Sequence, residues 1–396
     1  MKGTVVGFPL TLIVVTCLAA AQIPENLQNN IQQICDKWTV EYGLPGAIVA
    51  VTLPDGTTVV AASGYADKEH GFKMLPFHRL HAGSFTKTFA AALALALRNE
   101  GKVDLDTSIG RYIGNQPWFR ALPDRNSITL RQLLAMKTGL STVLPDALYS
   151  PALLESDWAD YHPRYTYSQI FGFVSDWRHP LLKEDEYLYT DEQYILAGVV
   201  LEAASGEKFE EAVQRRFVYP FELLFTGPSD SRVVAGIAKG YSDASTRERH
   251  VHAWEGDSVM TDGVLDINFG YPFTSGHYFS NPQDLARWAK ILYSGKAMPG
   301  PYLEEMLRFS ENDANTGENS HNAAYGLAVI KRNTPHGLVY EHTGGMPGYM
   351  TIAAYYPADD FAVAAQSNIR LTTAGSLSKV RDELAECVLT SMRHKN

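Results

Sequence analysis

The sequence predicts an α/β protein, more precisely an α+β protein, in which an antiparallel sheet flanked by terminal helices carries a mainly helical insertion. Three observations predict this architecture. An amphipathic helix and a β-hairpin stand near the beginning of the chain, three strands and a second amphipathic helix stand at its end, and the region between is typical of helices and long loops. We expect the α/β part to comprise about 22–83 and 266–396, and the helical insertion about 84–265.

The first predicted elements are a helix and a hairpin. Residues 24–42 place apolar side chains three or four positions apart, which indicates one buried helical face, and Pro24 suits the start of that helix. Residues 47–53 and 57–62 flank the turn sequence Pro54-Asp55-Gly56, so they predict two paired strands. The apolar face of the helix consists of Leu27, Ile31, Ile34 and Trp38.

The last predicted elements mirror the first. Residues 338–342, 350–356 and 361–365 predict three strands, the last two joined by a short Pro- and Asp-containing turn at 357–360. A final helix from about residue 376 carries Leu377, Val380, Leu384 and Cys387 on one face. We therefore expect the two ends of the chain to form one sheet together.

Composition excludes several classes of protein. The chain has 396 residues, of which 45% are apolar and 20% charged, so it can bury a sizeable core and is not disordered, collagen-like or a coiled coil. Against 44 Asp and Glu there are only 34 Lys and Arg, and the formal net charge is −10. Because nucleic-acid phosphates are bound through clustered Lys and Arg, we expect no nucleic-acid partner.

The N-terminal segment is typical of a signal peptide. Lys2 precedes an apolar stretch over 5–20, and Ala19-Ala20-Ala21 resembles a cleavage site of small residues. We expect residues 1–21 to be removed and the mature protein, 22–396, to be secreted or periplasmic without a membrane anchor. An uncleaved transmembrane anchor is the alternative, since the apolar length only just permits one.

The cysteines predict a disulfide rather than a metal site. Signal cleavage would leave Cys35 and Cys387, which lie on the apolar faces of the two terminal helices, and the sheet needs both termini side by side. In an oxidising compartment we therefore expect them to form a disulfide; two buried free cysteines are the alternative. We expect no metal, because His250 and His252 lack a third ligand at suitable spacing.

A serine and a lysine stand where nucleophilic chemistry is expected. Ser84 and Lys87 open an apolar helix that ends near Gly101, and positions i and i+3 share one helical face. A lysine can remove the serine proton only when it is neutral, which requires its pKa to be lowered. The same spacing recurs in two other pairs, Ser205 with Lys208 and Ser376 with Lys379.

The order of further motifs distinguishes Ser84 from the other serines. Tyr189 and Asp191 precede an apolar helix about a hundred residues later, and His342-Thr343-Gly344 follows in a predicted strand. This ordered set resembles the Ser-x-x-Lys, Tyr-x-Asn and Lys/His-x-Gly motifs of the penicillin-recognising serine hydrolases, a family that includes class C β-lactamases, DD-peptidases, D-aminopeptidases and esterases. Segments 133–140, 275–280 and 325–327 are also similar to stretches of that family.

The resemblance implies a role for each matching residue and the β-lactamase/transpeptidase-like fold. Ser84 would be the nucleophile and Lys87 the partner that removes its proton, while Tyr189 would shuttle protons; the sequence leaves open whether Lys87 or Tyr189 is the base. The N–H groups of Ser84 and Gly345 would form the oxyanion hole. Asp191, His342, Thr343 and Gly344 would contact the substrate.

Two departures from the family pattern bear on the substrate. Asp191 stands where the family usually has Asn, and a carboxylate can accept hydrogen bonds but not donate them, which suits a substrate bearing an amine. His342 stands where most β-lactamases have Lys, so the positive charge available for a substrate carboxylate is weaker. Histidine at this position is typical of the DD-peptidase, D-aminopeptidase and esterase branches.

The sequence thus predicts an exported serine hydrolase that needs no cofactor and forms an acyl-enzyme with small peptides or amides. Substrates that contain D-amino acids are candidates. An esterase acting on small acyl esters, or a weak β-lactamase, is the alternative within the enzyme class. A non-catalytic binding protein that retains the fold is the alternative outside it.

Overall fold

The computed structural model describes residues 25–122, 125–140, 187–242, 257–267, 269–270, 273–309, 323–371 and 376–393. The expected signal peptide, 1–21, and the pair His250 and His252 lie outside these residues. The α-helices are α1 (Glu25–Glu41), α2 (Lys87–Asn99), α3 (Gly110–Ile113), α4 (Leu130–Leu134), α5 (Asp191–Ser205), α6 (Phe209–Val213), α7 (Pro282–Tyr293), α8 (Tyr302–Met306) and α9 (Ser376–Arg393). Within the described ranges, no helix is both long and apolar enough to cross a membrane.

Eight strands form one antiparallel sheet that combines both ends of the chain. The first strand of the predicted hairpin pairs with the last strand of the protein, with Ala47 opposite Ser367. The predicted architecture is therefore confirmed. In spatial order the strands are β3 (Phe72–Lys73), β2 (Thr58–Asp67), β1 (Gly46–Thr52), β13 (Phe361–Ser367), β12 (Tyr349–Tyr356), β11 (Gly337–Met346), β10 (Ile330–Thr334) and β9 (Ala323–Tyr325).

In the part of the chain that the structure describes, five short strands lie outside the large sheet. They form a three-stranded sheet and a two-stranded sheet. The first contains β4 (Leu80–His81), β8 (Tyr278–Ser280) and β5 (Gly227–Pro228), and the second contains β6 (Met260–Thr261) and β7 (Val264–Leu265). The three-stranded sheet fixes the segment that leads into Ser84, because His81 pairs with Phe279.

The large sheet is buried on both faces because successive side chains of a strand point to opposite sides. Ala47 and Val49 of β1 pack with α1 and α9, whereas Ile48 and Ala50 belong to the core formed with the other helices. Burying a side chain of the size of Val49 or Ile48 stabilises the fold by roughly 1.5–3 kcal/mol. The terminal helices therefore cover one face and the helical region covers the other. The expected boundaries of the insertion, 84–265, stay a prediction.

The predicted disulfide is absent, and this expectation was wrong. Both Cys35 and Cys387 are free cysteines. The thiol of Cys35 is buried and faces the sheet, 3.7 Å from the carbonyl oxygen of Ala47 and 3.8 Å from that of Ala61. Cys387 instead interacts with Asn30, on another side of α1. The two thiols therefore point to different surroundings although both helices pack on the same face of the sheet.

Candidate active site

The candidate nucleophile lies at the junction between a tight turn and a buried helix. Ser84 belongs to a 3₁₀ turn, Gly83–Thr86, and α2 begins at Lys87 rather than at Ser84 as the sequence suggested. The Lys87 side chain lies back over the turn, with its Nζ 3.0 Å from Ser84 Oγ. Lys87 is fully buried, whereas Ser84 is partly exposed. A substrate can therefore reach the hydroxyl but not the ammonium group.

Three acceptors surround the Lys87 ammonium group. Besides Ser84 Oγ, Nζ donates to Asp191 Oδ1 at 2.6 Å and to the backbone oxygen of Ser275 at 2.7 Å. An ammonium has three N–H donors, so each finds an acceptor. Burial acts to lower the pKa of Lys87, but Asp191 and Tyr189 outweigh it and the pKa is raised above its ordinary value.

This charge state differs from the sequence-based expectation. A lysine that removes a serine proton must be neutral, and the sequence suggested that burial would lower its pKa. The nearby carboxylate of Asp191 reverses the sign of the shift. In the resting site Lys87 is thus an ammonium that donates a hydrogen bond to Ser84, and the nucleophile is not yet activated.

Tyr189 and Asp191 flank the start of α5 and bring the second motif to the same cluster. The Lys87 Nζ lies 5.0 Å from the centre of the Tyr189 ring. Tyr189 is 38% exposed and the side chain of Asp191 is 32% exposed, so both border the open side of the site. Desolvation raises the pKa of the Tyr189 phenol, although Lys87 and Ser84 partly oppose this effect. The phenol is therefore neutral at rest.

The third motif packs against the nucleophile turn through glycines. A Cβ added to Gly344 would lie 1.9 Å from the backbone oxygen of Ala82 and 3.2 Å from the nitrogen of Ser84. Gly83 adopts a φ of +55°, and a Cβ there would lie 2.6 Å from the nitrogen of Gly345. Because only glycine permits this approach, β11 and the turn meet backbone to backbone. The amide groups of Ser84 and Gly345 are thereby brought to the same corner of the site.

His342 is a buried, neutral residue in the structure. Its Nδ1 lies 2.7 Å from the oxygen of Thr343, which can only accept, so Nδ1 carries the proton. Its Nε2 then accepts from the hydroxyl of Tyr325 at 3.0 Å. Burial, together with the charge of Lys87, lowers the pKa of His342 to about 3. His342 therefore supplies no positive charge, and since it is 1% exposed its contact with substrate stays a prediction.

Some residues contact the site through the backbone or across the sheet and were not predicted from the sequence. The carbonyl group of Ser275 holds Lys87, and the turn that carries it is braced by Thr274, whose hydroxyl donates to the oxygen of Tyr194. Ser275 and Tyr325 lie in two stretches already similar to the family, which was the available signal. The guanidinium of Arg370 lies against Gly345, 3.0 Å from the position that a Cβ would take. Nothing in the sequence pointed to Arg370.

The competing serines have other environments. Ser205 lies at the end of α5, where its hydroxyl bonds to the backbone oxygens of Glu202 and Glu207 at 3.4 Å. Lys379 pairs with Glu41 on α1, on the face of the sheet opposite to the helical region. Neither arrangement places a lysine over a serine hydroxyl. Across the described ranges, no group of three His, Cys, Asp or Glu side chains could hold a metal ion.

Comparison with known proteins assigns this chain to a family. The Beta-lactamase family model matches residues 25–385. The chain belongs to the β-lactamase family. The expected family and fold are thereby confirmed. The serine-hydrolase class is confirmed at the level of the family, and solved structures with this fold include a D-amino acid amidase at 25% identity.

Two of these solved structures are enzymes with D-stereospecific names. The D-amino acid amidase from Ochrobactrum anthropi SV3, complexed with D-phenylalanine, has a TM-score of 0.74 and 25% identity, and covers 93% of this chain and 100% of its own. The D-stereospecific amidohydrolase from Streptomyces sp. has a TM-score of 0.70 and 22% identity, and covers 90% of this chain and 97% of its own. At 22% identity the second likeness shows the fold alone.

Curated relatives are more distant in sequence. Protein flp of Staphylococcus aureus strain N315 is 21% identical over 353 residues, which cover 87% of this chain and 64% of that protein. Penicillin-binding protein 4* of Bacillus subtilis strain 168 is 20% identical over 340 residues, covering 84% of this chain and 70% of that protein. The chain therefore spans less than two thirds of the length of protein flp.

Proposed function

We propose that this chain is an exported serine hydrolase that cleaves small amides or peptides through an acyl-enzyme on Ser84. One observation carries the proposal. The Lys87 ammonium joins Ser84 Oγ, at 3.0 Å, to Asp191 Oδ1, at 2.6 Å, beside the Tyr189 ring. A purely structural ion pair would not need a fully buried lysine over a partly exposed hydroxyl. The arrangement suits a serine nucleophile that the lysine activates once it has lost a proton.

The reaction begins when the Lys87 ammonium loses a proton to the solvent. Once its amine is neutral, Lys87 takes the proton of Ser84 Oγ as the bond from Oγ to the substrate carbonyl carbon forms. The carbonyl oxygen becomes negative and accepts hydrogen bonds from the N–H groups of Ser84 and Gly345. The close backbone approach at Gly344 and Gly83 supports this role, because it holds the two amide groups in a fixed relation before substrate arrives.

Breakdown of the intermediate needs a proton on the leaving nitrogen. The neutral phenol of Tyr189 gives its proton to that nitrogen and regains one from the Lys87 ammonium, so the phenol is restored and the Lys87 amine is again neutral, as it was before the attack. The bond from carbon to nitrogen breaks and the amine departs. A water molecule then attacks the acyl carbon and gives a proton to the neutral Lys87 amine. The bond from that carbon to Ser84 Oγ breaks, and Lys87 passes the proton to Oγ, which restores the hydroxyl.

The substrate class follows from the charges around Ser84 and from the relatives. Neutral His342 offers no fixed charge for a carboxylate at the position where most β-lactamases have Lys. The name of one structural neighbour at 25% identity, a D-amino acid amidase, supports amides of D-amino acids as the substrates. We place β-lactams among the poor substrates for the same reason.

Export rests on the N-terminal segment. Lys2, the apolar stretch 5–20 and the alanines before Gln22 support cleavage after residue 21. Expression of the full chain in a secreting host, followed by N-terminal sequencing of the released protein, tests this point. A mature protein that begins at Gln22 supports it, and a cell-retained protein that keeps residues 1–21 contradicts it.

A substrate panel tests the activity. We expect the mature protein to hydrolyse D-phenylalaninamide faster than phenyl acetate or nitrocefin, relative to the uncatalysed rate of each. Turnover should disappear in Ser84→Ala and persist in Ser205→Ala, a matched serine with a lysine three residues later. Preferred turnover of the ester would favour the esterase alternative, and no turnover of any substrate would favour a binding protein.

A further inference from the structure

We propose that Asp191 is the subsite for a positively charged α-amino group of the substrate. This inference rests on the proposed function and names the feature that selects its substrate. The group that would bind the substrate is the carboxylate oxygen of Asp191 that accepts no hydrogen bond from Lys87. Asp191 would then perform two tasks, holding Lys87 with one oxygen and binding the substrate ammonium with the other.

The Asp191 carboxylate retains capacity for a second partner. Lys87 Nζ donates to its Oδ1 at 2.6 Å, and the side chain is 32% exposed beside Tyr189. Among the residues that the structure describes, Lys87 alone forms a hydrogen bond with the Asp191 side chain. An ionised carboxylate has about four lone-pair sites, so one contact leaves room for another donor.

The distance between Ser84 Oγ and the Asp191 carboxylate fits a substrate whose amine is on the α-carbon. Because Lys87 Nζ lies 3.0 Å from Ser84 Oγ and 2.6 Å from Asp191 Oδ1, the carboxylate is within about 5.6 Å of Oγ. A reacting carbonyl carbon is held roughly 3–3.5 Å from its nucleophile. Its α-nitrogen is about 2.5 Å further on, from standard bond lengths. An α-ammonium can therefore reach hydrogen-bond distance of Asp191 while the carbonyl carbon stays at Ser84.

The charges around Asp191 favour a donor over an acceptor at this place. An Asn side chain could donate to the carbonyl oxygen of an acylated amine, whereas the Asp191 carboxylate would repel that oxygen. His342 is neutral and Lys87 already has three acceptors, so neither offers a free positive charge to an N-acyl oxygen. A free α-ammonium is the group that matches the site, and an N-acylated one does not.

Three substrates with one leaving group test the subsite. They are D-phenylalanine p-nitroanilide, its N-acetyl derivative, and 3-phenylpropanoyl p-nitroanilide, in which hydrogen replaces the amine. In the wild-type protein we expect kcat/KM for the free amine to exceed that for the other two by tenfold or more. In Asp191→Asn this preference should fall at least tenfold. Asp106→Asn, which removes an aspartate paired with Arg131 at 2.6 Å elsewhere in the fold, should keep the preference.

The comparison of ratios separates the subsite from the chemistry. Loss of activity by the same factor for all three substrates in Asp191→Asn would overturn the inference, because it would show that Asp191 acts only on Lys87. If the wild-type protein hydrolyses none of them, the proposed function fails first. Calorimetry on Ser84→Ala then decides the subsite: phenylalaninamide should bind at least tenfold tighter than 3-phenylpropanamide, and Asp191→Asn should abolish the difference. Equal binding of the two amides by Ser84→Ala would overturn the inference.

Discussion

Replacing Asp191 by Asn should make Ser84 reactive at lower pH towards substrates that lack an amine. In the wild-type site the carboxylate raises the pKa of Lys87, and the neutral amine needed for proton removal forms only in the alkaline range. Asn removes the negative charge but keeps the shape of the side chain, and it is the residue usual in the family. Burial of Lys87 then acts unopposed by Asp191, so the pKa of Lys87 falls.

The size of the effect follows from the contact. At 2.6 Å and an effective dielectric constant of about 20, two unit charges attract by about 6 kcal/mol, which is an upper bound for this partly exposed pair. A charge-assisted hydrogen bond contributes roughly 1.5–3 kcal/mol net. At about 1.4 kcal/mol per pH unit, we expect the pKa of Lys87 to fall by about 1–2 units. Below that pKa the fraction of neutral amine, and with it the acylation rate, rises about 10- to 100-fold.

The assay is the second-order rate of fluorophosphonate labelling of Ser84 between pH 6 and 11. This probe lacks an amine, so the proposed subsite does not affect it. We expect the rate to rise with pH in both proteins and the midpoint to lie lower in Asp191→Asn. Thermal unfolding serves as the control, since a buried lysine without its partner destabilises the fold. Identical midpoints in two folded proteins would refute the view that the charge of Lys87 limits activation.

Three further predictions concern packing, a buried carboxylate and the thiols. Gly344→Ala should abolish the labelling of Ser84 and lower the free energy of unfolding by about 1–3 kcal/mol, because β11 must move away from the turn that carries Ser84. Gly227 has more space around it, so Gly227→Ala should be labelled normally. Burial raises the pKa of Asp284 to about 6, so the native state binds more protons between pH 4 and 6 and stability falls as pH rises through that window. Asp284→Asn should remove this dependence of stability on pH. Between pH 4 and 7 its free energy of unfolding, measured with urea, should gain about 3 kcal/mol relative to that of the wild-type protein. Parallel plots of stability against pH for the two proteins would contradict this prediction. Peptide mapping after denaturation and alkylation without reductant should find both Cys35 and Cys387 alkylated, and a peptide that links them would restore the disulfide.

The fold could be predicted because its sheet is built from local patterns. In the hairpin at 47–62 and the strands near 350–365, the residues either alternate between apolar and polar or are continuously apolar, and clear turn sequences separate the strands. Each strand was found within a few residues of its predicted bounds. The edge strands β3 and β9 were not predicted, since two or three residues are too few to show an alternation of apolar and polar side chains. The disulfide failed for a different reason. An apolar stripe shows which side of a helix is buried, but not which neighbour Cys35 and Cys387 each face.

The motif residues of the site could be predicted, but its charge state could not. Ser84 and Lys87 are three residues apart, and their contact follows from local geometry. The contact between Lys87 and Asp191 spans 104 residues and depends on how α2 and α5 pack. That single distance changes Lys87 from a lysine expected to be neutral into an ammonium. The similarity of segment 275–280 to the family marked this stretch, but it could not show that the backbone carbonyl of Ser275 holds Lys87, because any residue at that position would present a carbonyl group.

Identification of the acylated residue tests the central claim most directly. The mature protein is incubated with a fluorophosphonate or with a β-lactam, its intact mass is measured, and the adduct is located by peptide mapping. We expect one adduct, on Ser84, that is lost in Ser84→Ala and retained in Ser205→Ala and Ser376→Ala. An adduct on any other serine, or no adduct with either probe, would contradict the assignment of Ser84 as the nucleophile.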